Sequence, residues 1–309
     1  MKKNLLSTSF NIKSELNHIA IPYLEKVDVK PDTSEGHIHF QSNQFSSSSR
    51  MVQLERYQIS TKSSKDLVSD LLHFHGVDAR SIMESTIYQE FLVKKESLLY
   101  SLYLENAKIK LEPKESKFGG WIRKKLFSGK DFIHYIKDEN NEGSTKVVDL
   151  IYEACFRINV SSGFGPGNFV VCSPRIGALI MNHTRFTFTS DDIQPGNPIN
   201  IEMVGHLNSG AKIEIYINPN LTWDNTTIIV GRSNGGSMEN GTYVIDKNDS
   251  PTIESIESSH NLEDVTRGVH YMAVGNISRE SSSSRFMRIE IATGEKPFWR
   301  KLLYLFGVE

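Results

Sequence analysis

Apolar and polar residues recur at helical spacing between Tyr57 and Tyr103, and this is the clearest pattern in the chain. A strand-like run leads into a short helical pattern, which breaks at His75-Gly76-Val77-Asp78. The pattern then restarts as a helix of about 25 residues, which is long for a globular protein. We expect Gly76 to end the first helix and Asp78 to cap the second, because its carboxylate can accept the free N–H groups of the first turn.

One apolar stripe runs along the long predicted helix at helical period. Its members are Met83, Ile87, Phe91, Leu98 and Leu102, widened by Ile82, Leu92 and Leu99. The polar residues expected on the opposite face, exposed to water or to a neighbour, are Glu84, Gln89, Glu90, Lys94, Lys95 and Glu96. We interpret the stripe as core packing against a sheet rather than as a ligand site.

The segments before this helix read as an arm and a hairpin. Residues 1–30 carry weak helical signals and are predicted to form an arm rather than a core element. Within residues 31–62, His37–Phe40 and Met51–Tyr57 alternate at strand period, and the serine-rich Gln44–Ser49 between them is predicted to be a flexible tip. Together they predict a projecting β-hairpin loop.

Shorter, mostly β segments follow the long helix. Lys108–Gly143 is a polar, basic insert, and Lys146–Asn159 reads as a helix with one apolar side. A glycine-rich turn at Gly163–Asn168 leads to a buried strand at Phe169–Pro174 and a helix at Arg175–Met181, with Ser173 as its cap. Further strands are predicted at Ile199–Val204, Lys212–Asn218, Asn225–Gly231, Gly241–Asp246, Gly268–Gly275 and Arg285–Ala292.

Composition is that of an ordinary folded protein. The 309 residues suffice for one large or two moderate domains, with 38% hydrophobic and 23% charged residues. A formal net charge of −2 gives no global attraction to nucleic acid or anionic membrane. Two cysteines suit a reducing cytosol, and no stretch approaches 18 apolar residues, so we expect neither secretion nor a membrane span.

Candidate chemistry is sparse. The glycine-rich turn Gly163–Gly167 stands between a helix and a strand, whereas a phosphate loop needs strand, loop and helix in that order. The pairs His37/His39 and His73/His75 invite a metal hypothesis, but no third ligand stands at ligand spacing. We therefore predict no metal site and no cofactor.

Two further candidates are interpreted structurally. Cys172 lies in an apolar strand with no local base or oxyanion site, so we expect a buried thiol rather than a nucleophile. Arg123-Lys124-Lys125, beside Trp121 and Phe127, could touch nucleic acid through phosphates and stacking, but a solvated loop or subunit contact is the plainer interpretation. We predict no catalytic residue and no enzyme activity.

Three segments resemble one protein family. Tyr57–Tyr103, with Lys65-Asp66-Leu67 and His75-Gly76-Val77-Asp78-Ala79, resembles the spine-helix region of major capsid proteins of T-even-type tailed bacteriophages. GPGNFVVCSPRIGAL at 165–179 resembles the strand-to-helix segment of that family. GAKIEIYINP at 210–219, with the strands that follow it, is similar to the family's succeeding strands. The resemblance covers roughly residues 50–309.

The resemblance implies an α+β protein with the tailed-phage and herpesvirus major capsid fold. Its parts would be an N-terminal arm (1–30), an extended β-hairpin loop (31–62), a peripheral domain with the spine helix and the insert (63–145), an axial domain (146–245), and return strands of the peripheral domain with the C-terminus (246–309). The insert matches no part of the family.

The function implied is self-assembly into hexamers and pentamers that form the icosahedral head around phage DNA. The expected partners are other copies of the chain, packaged DNA held non-specifically on the inner face, and vertex, decoration, scaffold and portal proteins. The chain would be made in the host cytoplasm and would reside in the virion. The alternatives are the paralogous pentameric vertex protein, a same-fold nanocompartment shell and, from another class, a cytosolic enzyme using Cys172 or a histidine pair. Particle mass discriminates between a shell and an enzyme.

Overall fold

The computed structural model describes twelve stretches of the chain: 5–14, 18–27, 44–111, 133–136, 141–189, 200–208, 212–223, 225–233, 241–248, 250–257, 263–277 and 284–293. The chain packs as two compact units. The first unit comprises Met1–Leu5, Tyr103–Ser233 and Ser282–Glu309, and the second unit comprises Leu6–Leu102 and Asn234–Ser281. Each unit is therefore built from separate stretches of sequence.

Within the described residues, the helices are α1 (Lys65–His75), α2 (Ala79–Asn106), α3 (Asn141–Ser162) and α4 (Pro174–Met181), preceded by a 3₁₀ turn at Leu5–Thr8. The strands are β1 (Phe10–Ser14), β2 (His18–Val27), β3 (Gln44–Gln53), β4 (Glu55–Ser64), β5 (Ile133–Ile136), β6 (Phe169–Cys172), β7 (Phe186–Phe188), β8 (Glu202–Asn208), β9 (Lys212–Ile217), β10 (Thr227–Gly231), β11 (Thr242–Lys247), β12 (Thr252–Glu257), β13 (Glu263–Asn276) and β14 (Phe286–Thr293).

The first unit is built on a mixed sheet. Its described strands lie in the order β5-β14-β10-β6-β9-β8-β7. β6 pairs parallel with β9 and β5 parallel with β14, and the other neighbours are antiparallel. The central strand β6 is buried along its whole length, as its continuous apolar run predicts.

Helices α3 and α4 close one face of this sheet. The predicted apolar side of α3 is confirmed, and it packs into a core cluster with strand residues such as Val170 and Ile289. The buried α3 residues of that side are Val147, Ile151, Cys155 and Ile158. Phe169, Tyr216, Phe286 and Tyr103 form a second, aromatic group with centroid distances of 4.8 to 6.4 Å. Apolar burial on this scale is the main favourable term in the unit's folding.

The second unit is built on a sheet whose described strands run β1-β11-β13-β12, with β4 also paired to β13. Successive residues of a strand face opposite sides of its sheet. On β13, Gly268 and Met272 lie against α2, whereas Tyr271 and Ala273 join an apolar cluster that contains Ile245. One face of this sheet therefore holds the long helix, and the other holds the apolar ends of β2 and β3.

The break between α1 and α2 follows the predicted chemistry. Ser64 caps α1 by accepting a hydrogen bond from the Leu67 N–H, and Gly76 ends it in the left-handed conformation at φ 63°. The Asp78 carboxylate then accepts the Arg80 N–H at 3.0 Å at the start of α2. The long helix is thus confirmed, with 28 residues.

The α4 cap is correct in position but not in mechanism. Ser173 precedes Pro174 as expected, yet its side chain makes no cap hydrogen bond. Its hydroxyl donates instead to the Asn225 carbonyl at 2.9 Å, which ties the helix start to the segment before β10.

The arm and hairpin predictions need correction. β1 pairs in parallel with β11, so residues 10–14 belong to the sheet of the second unit, although they were predicted to lie outside the core. The serine-rich Gln44–Ser49, predicted as a flexible tip, lies within strand β3, which pairs with β2 at His18–Val27. The predicted strand at His37–Phe40 lies outside the described residues.

Helices packed on mixed, mainly antiparallel sheets make this an α+β protein, as predicted. The assignment of arm, peripheral and axial roles to ranges of the chain stays a prediction. Among the helices that the structure describes, none combines the length and apolar character of a membrane span.

Candidate assembly surfaces

A buried ionic cluster fixes α2 to the sheet of the second unit. Lys95 Nζ lies 3.2 and 3.0 Å from the two oxygens of Asp246, and His270 Nε2 lies 2.9 Å from Asp246 Oδ1. The His270 side chain is 2% exposed, and its ring lies 5.6 Å from that of Phe91. The cluster therefore joins one helix and two strands, β11 and β13, through a single carboxylate.

Burial alone would raise the pKa of Asp246. The hydrogen bond to His270 and the charge and hydrogen bond of Lys95 outweigh that effect, so the pKa lies below its ordinary value of 3.8. Asp246 is therefore ionised in the folded protein at neutral pH. A half-buried carboxylate is tolerated here because Lys95 and His270 compensate it.

This cluster corrects the expected polar face of the helix. Lys95 and Glu96 were expected to face water, but they are 8% and 1% exposed. Ile82, expected to widen the buried stripe, is 51% exposed. The core members Met83, Ile87, Phe91 and Leu99 are buried as predicted.

A glycine allows α2 to approach the sheet closely. A Cβ atom at Gly268 would overlap the Ile87 side chain and lie 2.9 Å from the Phe91 ring. Since no larger residue fits there, Gly268 sets the distance between α2 and β13. The long helix is thus held by close packing as well as by charge.

Helix α1 leaves its apolar side chains uncovered. None of its residues is buried, and Leu67, Leu72 and Phe74 are 50%, 57% and 79% exposed. Leu67 and Phe74 stand two turns apart on one side of the helix, and large exposed apolar side chains on one side are typical of a surface that another molecule covers. The sequence analysis did not predict this surface. The sequence signal for it is the set of apolar residues in α1, the short helix before α2.

Helix α3 carries a second such surface. Phe156 and Val160 stand one turn apart and are 67% and 73% exposed. They lie off the buried stripe of α3, beside an ion pair between Arg157 and Glu153 at 2.7 Å. In the sequence, the signal for this surface is the presence of apolar residues outside the predicted apolar side of α3.

Strands β2 and β3 form the third candidate surface. They pair over ten residues in antiparallel register, from His18↔Gln53 to Val27↔Gln44. The end nearest β4 is anchored, because Ile21, Val52 and Leu54 are buried with β11 residues. Among the described strands, β2 and β3 pair only with each other, so no described strand extends either edge of this ribbon.

The two cysteines are placed in the core. Cys172 is fully buried on β6, with Sγ 3.8 Å from the Tyr216 carbonyl, and burial raises its pKa to about 12. Burial likewise raises the pKa of Cys155 to about 12. Both thiols are protonated at neutral pH and closed to solvent, as a structural role requires.

The other candidates from the sequence are not brought together. His73 and His75 lie exposed on the last turn of α1, two residues apart on a helix, so they do not share a face. Within the described stretches, no three His, Cys, Asp or Glu side chains gather at metal-binding distances. His37, His39 and the basic segment Trp121–Phe127 lie outside the described residues.

The glycine-rich segment is a turn between α3 and β6, as predicted. Gly163 and Gly165 adopt positive φ angles of 69° and 115°. The Arg232 guanidinium lies against Gly165 and donates to the Pro166 carbonyl at 3.1 Å. The segment connects a helix to a strand and is packed on its own chain.

Residues 128–244 match the family model described as major capsid protein Gp23. This range includes α3, β6, α4 and the strands that follow as far as β11. No curated protein matches the sequence.

Solved structures with the same fold come from phage and capsid particles. A chain of Microbacterium phage Oxtober96 is 13% identical and aligns over 94% of this chain and 92% of that chain, with a TM-score of 0.51. A chain from the capsid of an empty GTA particle is 12% identical over 94% and 92% of the two chains, with a TM-score of 0.50. At these identities the likeness is evidence of the fold alone.

The family match lies in the region of the Gly165–Leu179 resemblance, and the shared fold extends over nearly the whole chain. The chain therefore has the fold of phage capsid subunits, and its residues 128–244 are similar to the major capsid protein Gp23 family.

Proposed function

We propose that the chain is a major capsid protein that assembles with itself, through hexameric and pentameric rings, into the icosahedral head of a tailed phage. We also propose that the β2–β3 hairpin makes a contact between neighbouring copies. The observation that carries the proposal is the ten-residue ribbon, anchored at one end and unpaired with any other described strand. Identical chains that contact one another head to tail close into rings when the rotation between them closes.

The length of the ribbon supports a contact outside its own chain. Ten residues at about 3.3 Å each extend roughly 33 Å. Among the hairpin side chains that the structure describes, Ile19, Ile21 and Val52 reach the apolar cluster of the second unit. An isolated two-stranded hairpin is marginally stable in water, so the remaining pairs need a supporting surface. A neighbouring subunit supplies one in a shell.

The test shortens the ribbon without disturbing its anchored end. Replacing Tyr23–Ser48 by Asn-Gly joins Pro22 to Ser49, which are paired in the hairpin, through a two-residue turn. The shortened chain should keep near-native circular dichroism and thermal midpoint, because the buried Ile21, Val52 and Leu54 remain. Its sedimentation profile should lose the megadalton particle that the full-length chain forms.

A matched control keeps the ribbon and changes only its surface chemistry. Ser47→Thr with Ser48→Thr preserves both strands and raises their strand propensity, so particles should still form. Complete shells from the shortened chain would show that the hairpin is not an assembly element. Electron micrographs of the control particles, with rings of five and six resolved, test the proposed hexamers and pentamers separately.

Further partners follow from the same proposal. A net charge of −2 suits a wall that tolerates packaged DNA without binding it tightly. We expect DNA contact on the inner face to be non-specific. Vertex, decoration, scaffold and portal proteins complete the set of proposed partners.

A further inference from the structure

Helix α1 is an ordered helix without a core of its own. It has defined caps at Ser64 and Gly76, yet none of its eleven residues is buried. Isolated helices of this length are marginal in water, and most helices in proteins are stabilised by packing of an apolar face. The apolar face of α1 is therefore expected to be covered in the assembled protein.

The apolar face is nearly symmetric about its centre. Leu67, Leu71 and Phe74 stand at spacings of four and three, which places them on one side of the helix. With a rise of about 1.5 Å per residue, Leu67 lies about 6 Å before Leu71 and Phe74 about 4.5 Å after it. A second α1 running in the opposite direction about an axis at Leu71 would place Leu67 against Phe74 at both ends.

The charges of α1 have the same symmetry. Asp66 and Asp70 occupy the first half of the helix, and His73 stands on the same flank of the apolar face in the second half. In an antiparallel pair, Asp70 of one copy lies within about 1.5 Å of the axial level of His73 of the other. The imidazole can donate to the carboxylate, and the helix dipoles oppose each other favourably.

We propose that α1 is a twofold contact between two copies of this chain, with the two helices antiparallel and Leu71 at the axis. The contact is isologous, because the same surface serves both copies. It rests on self-assembly of the chain, as the proposed function does, but it is independent of the β2–β3 hairpin. It would link subunits by twofold symmetry, whereas the hairpin is proposed to link ring neighbours.

Disulfide trapping tests the geometry. A chain with Leu67→Cys and Phe74→Cys should form a dimer near 70 kDa on non-reducing gels, twice the 35.0 kDa of the chain, after mild oxidation of particles. Each single variant should stay monomeric, because Leu67 and Phe74 lie about 12 and 9 Å from their own symmetry mates along the axis, beyond the reach of a disulfide. Cys155 and Cys172 are buried and should not contribute.

The matched control is Ser69→Cys, an exposed residue on the opposite side of α1. It should give no dimer. Particles that form normally but yield no dimer from the double variant would overturn the twofold contact and leave the shell function intact. Dimers from the single variants instead would also overturn it, because they require another register. If the unmodified chain also forms no particles under the same conditions, the proposed function itself is contradicted.

Discussion

At the scale of single residues, the most consequential finding is the buried pair of Lys95 and Asp246. Their side chains are 10% and 24% exposed, and the residues lie 151 positions apart in the sequence. Removing one partner of a buried ion pair leaves an uncompensated charge, which is far more costly than losing a surface pair. Position 95 is therefore sensitive to substitution, although its sequence context suggested an exposed residue.

Lys95→Ala should lower the free energy of unfolding by about 3 kcal/mol, because Asp246 would keep its burial and lose its cation. Urea unfolding of the unassembled chain measures this change. Lys94→Ala is the matched control: Lys94 is exposed and only 6.0 Å above the Tyr57 ring, so its loss should cost less than about 0.5 kcal/mol. Equal losses of unfolding free energy in the two variants would contradict the assignment of Lys95 and Asp246 as a stabilising pair.

The Asp246 carboxyl also predicts an acid response. Its pKa in the folded protein lies below 3.8, so the folded state binds this proton less readily than the unfolded state. The resulting stabilisation is fully present above pH 3.8 and is lost as the pH falls through the folded pKa. Asp246→Asn should therefore reduce the slope of unfolding free energy against pH below pH 4, by up to one proton. An unchanged slope would show that another carboxyl dominates.

At the scale of elements, α2 is the helix around which the second unit packs. Phe91 is 1% exposed, and its ring packs against Gly268 of β13. Ile82 on the same helix is 51% exposed. Phe91→Asp should give insoluble protein and no particles, because the charge would enter the apolar contact at a cost of several kcal/mol. Ile82→Asp should stay soluble. Comparing the soluble fractions after expression checks the two faces, and insolubility of both would contradict this assignment.

Local patterns carried most of the correct predictions at this scale. Gly76 and Asp78 act through neighbouring backbone groups, so the break between α1 and α2 was readable from a few residues. The buried side of α3 and the strand β6 followed from apolar periodicity. In each case the determining contacts lie within one element or follow from burial alone.

The failures came from long-range pairing. Lys95 is buried because it pairs with Asp246 on β11. No local sequence pattern around Lys95 predicts this long-range contact. Gln44–Ser49 reads as a loop because serine has low strand propensity, yet pairing with β2 makes it a strand. The exposed α1 surface was not predicted, because an apolar side chain on a helix does not by itself show whether its own chain or another molecule covers it.

At the scale of the whole molecule, exposed apolar side chains on α3 make a prediction about assembly. Phe156 and Val160 contribute little to the stability of the single chain, because both are more than half exposed. Phe156→Asp should leave the thermal midpoint of the unassembled chain within a few degrees of wild type and should lower particle yield if a neighbour covers this face. Light scattering during assembly measures the yield.

The control for this face is Lys146→Ala, an exposed residue about 15 Å before Phe156 along α3. It should not alter particle yield. Full assembly of Phe156→Asp would indicate that the α3 surface faces solvent in the finished head.

The pairing of β1 with β11 has a consequence for the timing of folding. Phe10 pairs with Tyr243. Strand β1 therefore cannot pair with β11 until the ribosome has added more than two hundred further residues. At about 5 to 20 residues per second, this delay is on the order of 10 to 50 s. The cluster that anchors the hairpin also needs Tyr243, Ile245 and Ile277. Nascent chains therefore lack a finished hairpin anchor until Ile277 has been made, and we expect them not to assemble before then.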